Sequence, residues 1–257
     1  MPIDFHDSRN QSTYTTRVAE EQWLRTIEEY VDFKGKHVLD VGCGGGIYSK
    51  AFALSGAAHV TAMDFSVEML KGAKENCKDV NNISFIQGSA LDTKLKEQQF
   101  DILLERALIH HIADLTACFQ EANRVLKLNG RFIIQDRTPE DCALPGSETH
   151  IRGYFFERHP KLIEKESSRR YSSHKVKTVL EQTGFHRIKE FQYWETRKTY
   201  NDFDQLRDDL LHRTGRSILY ELTDDELMDL VEFIETKIGH LQHINERDRW
   251  TIWIAEK

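Results

Sequence analysis

The chain has no CxxC pair anywhere in its 257 residues: Cys43, Cys77, Cys118 and Cys142 stand far apart, and three of them fall in or beside stretches that read as core. Reduced, buried thiols are therefore expected, and no metal site. No apolar run approaches the length of a membrane span, and the polar opening MPIDFHDSRN lacks a secretory apolar segment. A cytoplasmic protein without a membrane partner is the expectation. Long basic runs are missing too, since 35 basic residues face 42 acidic ones for a net charge of -7, a balance that does not favour DNA as a partner. Neither internal repeats nor low-complexity segments occur. What remains is enough chain to bury one large α/β core, with or without insertions.

The most informative stretch is KHVLDVGCGGGIYS, from Lys36 to Ser49. Val38, Leu39 and Val41 read as a buried strand, Gly42, Gly44, Gly45 and Gly46 as a turn, and the residues that follow as a helix start. Strand, glycine turn and helix N-terminus together suit a nucleotide-type cofactor, because missing side chains let a ligand lie on the backbone. A dinucleotide fingerprint, G-x-G-x-x-G, would need a third glycine where Ile47 stands, which weakens a nicotinamide-dependent oxidoreductase. Asp40 instead precedes the first glycine by two residues.

The order Asp40-x-Gly42-x-Gly44 resembles motif I of the class I S-adenosylmethionine-dependent methyltransferases. In that family the acid helps hold the amino end of the methionine moiety, and the glycine backbone makes room for the cofactor. DFSVEML after the second strand, ALIHHI after the fourth, and DLTACFQEANRVLKLNGRFII beyond it are similar to the same family. The match is strong over residues 36–137. It implies a doubly wound, Rossmann-like α/β sandwich with a seven-stranded, mostly parallel sheet whose last strand is antiparallel. The cofactor implied is S-adenosyl-L-methionine, with S-adenosyl-L-homocysteine as product.

Further site residues follow along the chain. Asp64 ends the strand His59–Met63, twenty residues past Gly44, where an acid accepts from ribose hydroxyls or caps the next turn. Phe65 follows it in the family's segment, and Ser66 is a good N-cap. After the strand Ile83–Gln87, the family's Gly-Asp-Ala reads Gly88-Ser89-Ala90, so a hydroxyl replaces the acid that meets adenine. The backbone N–H of Ala90 remains available, and Asp92 is a fallback acid or a turn residue. Phe100–Leu104 reads as a central strand, with Glu105 and Arg106 expected at the mouth of the site. His110 is the candidate general base, against packing or capping by His110 or His111. Arg17, at the start of an N-terminal helix over about 14–31, meets the cofactor carboxylate or solvent. On that helix Ala19, Trp23, Ile27 and Tyr30 are expected to share a buried face.

Leu115, Phe119, Ala122, Val125 and Leu126 repeat with helical spacing, and Asn129-Gly130 is expected to stop that helix. A lid insertion is expected over about 138–172 and a second insertion over about 200–247, within one domain spanning 1–257. Tyr154, Phe155 and Phe156 either anchor the lid or pack it, and Arg152, Arg158, Arg169 and Arg170 either pair an acidic substrate or face solvent. Thr223 to Glu226 forms a capping box. The Asn/Asp-Pro-Pro-Tyr/Phe motif of planar-nitrogen methylation is absent, so a small-molecule methyl acceptor is the expected partner. A non-catalytic cofactor-binding regulator stays open beside it. Neither the acceptor nor the oligomeric state is readable from the sequence.

Overall fold

The computed structural model describes residue 19 and residues 21–257. Seven strands, β1 (His37–Val41), β2 (His59–Asp64), β3 (Ile83–Gln87), β4 (Phe100–Arg106), β5 (Leu126–Asp136), β6 (His186–Tyr200) and β7 (Ile244–Glu256), form one sheet in the order β3-β2-β1-β4-β5-β7-β6. The pairs β1–β2, β1–β4, β2–β3 and β4–β5 are parallel, while β7 runs antiparallel to β5. This is the expected fold. The order reverses at β1, so the carboxyl ends of β1 and β4 flank the switch point where open α/β sheets bind ligands.

The helices are α1 (Glu21–Glu28), α2 (Ile47–Leu54), α3 (Val67–Asn76), α4 (Leu115–Val125), α5 (Pro139–Cys142), α6 (Ile151–Arg158), α7 (Lys161–Ser168), α8 (Ser173–Gln182), α9 (Phe203–Leu211) and α10 (Asp224–Ile238). Trp23 and Ile27 on α1 are fully buried, as their spacing requires. Tyr30 departs from the expected face. The last turn tightens as Tyr30 N–H donates to the Ile27 carbonyl, and Tyr30 stacks on Phe191 at 4.8 Å while Val31 and Phe33 enter the core. Arg17 lies outside the described residues.

Asn129-Gly130 does not stop α4. The helix ends at Val125, and the chain enters β5 directly at Leu126, with a register shift against β4 between Phe100 and Ile102. Asn129 takes φ 60° inside that irregularity and donates its N–H to the Lys257 carbonyl at 3.1 Å. The turn signal was real, and it serves a strand irregularity.

The chain divides into two compact units. One holds the described residues up to Asp136 together with Tyr171–Phe191 and Thr251–Lys257; the other holds Arg137–Arg170 and Gln192–Trp250. The first unit's core joins Leu39, Val41 and Leu103 of the sheet to Phe119 and Val125 of α4 and to Val176 and Leu180 of α8. In the second, Tyr154, Phe155 and Phe156 of α6 pack with Leu206 and Leu210 of α9 and with Leu227, Leu230 and Ile234 of α10. Thr223 and Glu226 form the expected capping box. Among the described residues, no helix is long and apolar enough to cross a membrane.

Candidate functional site

The turn after β1 is shaped by residues that have room for nothing larger. Gly42 takes φ 73° and donates its N–H to the Met63 carbonyl at 2.8 Å; a Cβ there would stand 3.0 Å from Leu108 Cδ1. Gly46, at φ 75°, opens α2, and its Cβ would stand 3.0 Å from Cys77 Sγ and 3.1 Å from Ala73 Cβ. Gly44 differs: at φ 51° its missing side chain would meet nothing within 4 Å. Gly42 and Gly46 serve close packing, whereas Gly44 borders open space. Such a backbone cradle suits a ligand that lies against the main chain.

Asp64, at the end of β2, braces this turn. Its Oδ2 accepts from Gly44 N–H at 2.9 Å and its Oδ1 from Ser66 N–H at 2.8 Å, while Ser66 Oγ caps α3 by accepting from Met69 N–H at 3.2 Å. Phe65 beside it is 59% exposed. Asp40 is buried at the carboxyl half of β1, where Ser49 Oγ of α2 donates to its Oδ2 at 2.5 Å. Burial pushes the Asp40 carboxyl up to about 6, against the pull of the Ser49 hydrogen bond and with a further push from Asp64. Ser49 was not singled out from sequence, although a hydroxyl one helical turn into α2 is the natural partner for such an acid.

Ser89 is exposed, and its Oγ accepts from Leu91 N–H at 3.2 Å in a local turn; Asp92 N–H donates to the Ser89 carbonyl at 3.1 Å. Ala90 is half-buried beside it.

Glu105 corrects an expectation. Rather than standing at a mouth it is 1% exposed, with Cys118 Sγ of α4 at 3.3 Å from Oε1 and Oε2 without a hydrogen-bond partner. Strand alternation explains this. Glu105 aligns with Val41 and follows Leu103 onto the α4 face, whereas Asp40 aligns with Leu104 on the other. Burial drives Glu105 up to about 8, with a smaller push from Asp136. Arg106, the next residue, lies over the Tyr48 ring at 4.4 Å and draws Asp40 downward.

His110 lies in the short 3-10 turn Ile109–His111, with its Nδ1 2.8 Å from Asp136 Oδ2. Its own N–H also reaches that oxygen, at 3.3 Å. Asp136 ends β5 and is 1% exposed. Because a carboxylate accepts, Nδ1 carries a proton, and in the neutral ring Nε2 is the nitrogen with the lone pair. The rings of His110 and His111 are 3.9 Å apart. Asp136 was not assigned a role from sequence; its position at a strand's carboxyl end was the available signal.

Residues 32–191 match the family model described as Methyltransferase domain. The ubiquinone biosynthesis O-methyltransferase of Coxiella burnetii is 36% identical over 110 residues, which are 42% of this chain and 46% of that protein, so the chain spans about half the length of that relative. The demethylmenaquinone methyltransferase of Staphylococcus haemolyticus is 30% identical over 184 residues, covering 65% of this chain and 76% of its own. The phosphoethanolamine N-methyltransferase 2 of Haemonchus contortus, solved with S-adenosyl-L-methionine, superposes with a TM-score of 0.62 at 18% identity, over 99% of this chain and 60% of that one. The fold, the glycine turn with its two acids, and a matched span reaching from before β1 into β6 therefore agree, and the chain belongs to the methyltransferase domain family.

Proposed function

We propose that the protein transfers a methyl group from S-adenosyl-L-methionine to a small-molecule acceptor in the cytoplasm, where its four buried cysteines stay free thiols. The observation that carries this reading is the open space at Gly44, between two closely packed glycines and next to the acids Asp40 and Asp64. When bound, the cofactor supplies a methyl already activated by a positive sulfur. Asp40 holds the amino group of its methionine part, and Gly42 and Gly44 admit it to the backbone. Asp64 takes the ribose while bracing the turn, and Phe65, Ser89 and the Ala90 N–H serve the adenine. His110, oriented by Asp136, takes the acceptor's proton at Nε2, the geometry of a base held by a buried carboxylate. Residues 138–172 and 200–247 carry acceptor recognition.

Alignment of the reactants supplies about 7–11 kcal/mol of such a rate enhancement and a positioned base about 10²–10⁴-fold. The test is calorimetry with S-adenosylmethionine, S-adenosylhomocysteine and NADH, followed by an acceptor screen. Binding of the first two without NADH is expected, and His110→Ala should keep that affinity while slowing turnover by about 10²–10⁴-fold. Binding of NADH alone would sink the proposal. Tight cofactor binding with no turnover across the screen would favour a regulator.

A further inference from the structure

In the unit formed by Arg137–Arg170 and Gln192–Trp250, four arginines surround two acids. Glu166 of α7 is fully buried and accepts from Arg170 Nη2 at 2.5 Å and from Arg169. Asp248 of β7 accepts from Arg137 Nη2 at 2.6 Å through Oδ2. Burial alone would raise both acids, but the guanidinium groups outweigh it and hold each well below the carboxylate range. Both are ionised, and both already have closer partners than Arg152.

Arg152 stands apart in this cluster. Its side chain is only 11% exposed, yet Nη1 is 3.6 Å from Glu166 and Nε is 3.7 Å from Asp248, beyond hydrogen-bond distance in each case. Arg152 Nη1 and Asp248 Oδ1 are sealed from solvent with no hydrogen-bond partner. Looseness is not the cause, because the backbone here is pinned. A Cβ on the adjacent Gly153 would lie 2.3 Å from Gly146 N, and His150 Nδ1 is 3.0 Å from the Pro145 carbonyl. A guanidinium presents five donors in a rigid fork and does not shed its charge, so a buried one that stands near two acids yet hydrogen-bonds neither keeps donors for an incoming anion.

We propose that Arg152 is the centre of an anion-binding site that takes a carboxylate or phosphate group of a small molecule. Taking that molecule to be the methyl acceptor rests on the methyl-transfer reading; the site itself does not. A purely structural Arg152 would be held by its acids and would stabilise the fold, whereas a ligand-binding Arg152 is a site where stability is given up for function.

The experiment uses the full chain and Arg152→Met, with inorganic phosphate and acetate as probes at an ionic strength held constant with sodium chloride. Wild type should show saturable binding of at least one probe by calorimetry and a rise in melting temperature of roughly 2–4 °C. Arg152→Met should lose that binding, melt no lower than wild type without the anion, and keep its affinity for S-adenosylhomocysteine. Saturation by phosphate alone assigns a phosphate ester, and by acetate alone a carboxylic acid. The proposal is overturned if neither probe saturates, if Arg152→Met binds as wild type does, or if it melts well below wild type. Anion binding in a wild type that does not bind S-adenosylhomocysteine would keep the site and remove only the acceptor assignment.

Discussion

Asp40 and Glu105 in one unit, and Glu166, Asp248 and Asp209 in the other, are all largely buried carboxyls, yet burial has opposite outcomes for them. Desolvation wins at the first pair, pushing Asp40 up to about 6 and Glu105 up to about 8. Arginine wins at the second set, where Arg216 joins Asp209 at 2.7 Å and Glu246 at 2.7 Å, and Arg137 joins Asp248, so that Asp209 and Asp248 lie well below their ordinary range and Glu246 is lowered too. A buried acid with a fixed cation is structure. One without such a cation is a cost that a ligand can offset, which is why raised carboxyls mark functional ends of a fold.

The sharpest way to break this contrast is to remove the counter-charge from the arginine cluster. Glu166→Gln keeps the shape but leaves Arg169 and Arg170 without their shared carboxylate, and the expected loss is about 3–5 kcal/mol in urea denaturation. The sign with pH follows from the depressed value. The Glu166 contribution is fully present above its ordinary 4.5 and is lost as the solution is acidified well below that. An unchanged urea midpoint would mean that the cluster is solvated rather than structural.

The same contrast explains what was legible in the sequence. β1, the glycine turn, the Ser66 cap and the Thr223 capping box were readable because their signals are local: a short apolar run, glycine where φ is positive, a hydroxyl before a helix. β7 begins at Ile244, inside the second insertion expected over about 200–247. Its first half alternates buried Ile244, Glu246, Asp248 and Trp250, and the two acids hide the period until their arginine partners are known. Nor could sequence show that Glu105 points to α4, since a strand buried on both faces offers no polar side to orient it. The pairing of His110 with Asp136 was hidden because partners on β5 and after β4 meet only through the sheet register.

A smaller effect of opposite sign is expected at Glu105. Between its ordinary 4.5 and its folded value of about 8 the folded chain binds the extra proton, so the group lowers stability progressively as pH rises through that window. The shift sets an upper bound of about 5 kcal/mol on that cost, and partial relaxation should leave about 1–3 kcal/mol. Glu105→Gln should therefore match wild type near pH 5 and exceed it by that amount above pH 8, measured by urea midpoints at both values. A difference independent of pH would mean that Glu105 is ionised in the fold throughout.

Asp40 tests the ligand side of the comparison. If its carboxylate holds the cofactor's amino group, burial without a fixed cation is relieved on binding, and affinity must depend on the ionised form. Asp40 titrates near 6, so affinity for S-adenosylhomocysteine should be level above pH 7 and fall as the solution is acidified through that value. Asp40→Asn preserves the contact with Ser49 Oγ while removing the charge, and a lost charge-assisted hydrogen bond of about 1.5–3 kcal/mol corresponds to roughly 10–100-fold weaker binding at pH 8. The variant should also lose the pH dependence near 6, which separates loss of the charge from disturbance of the turn, because a distorted turn weakens binding at every pH without flattening the profile. Calorimetric titrations of both proteins between pH 5 and 8 read both quantities, and equal affinities at pH 8 would assign Asp40 to holding α2 through Ser49 rather than to the cofactor.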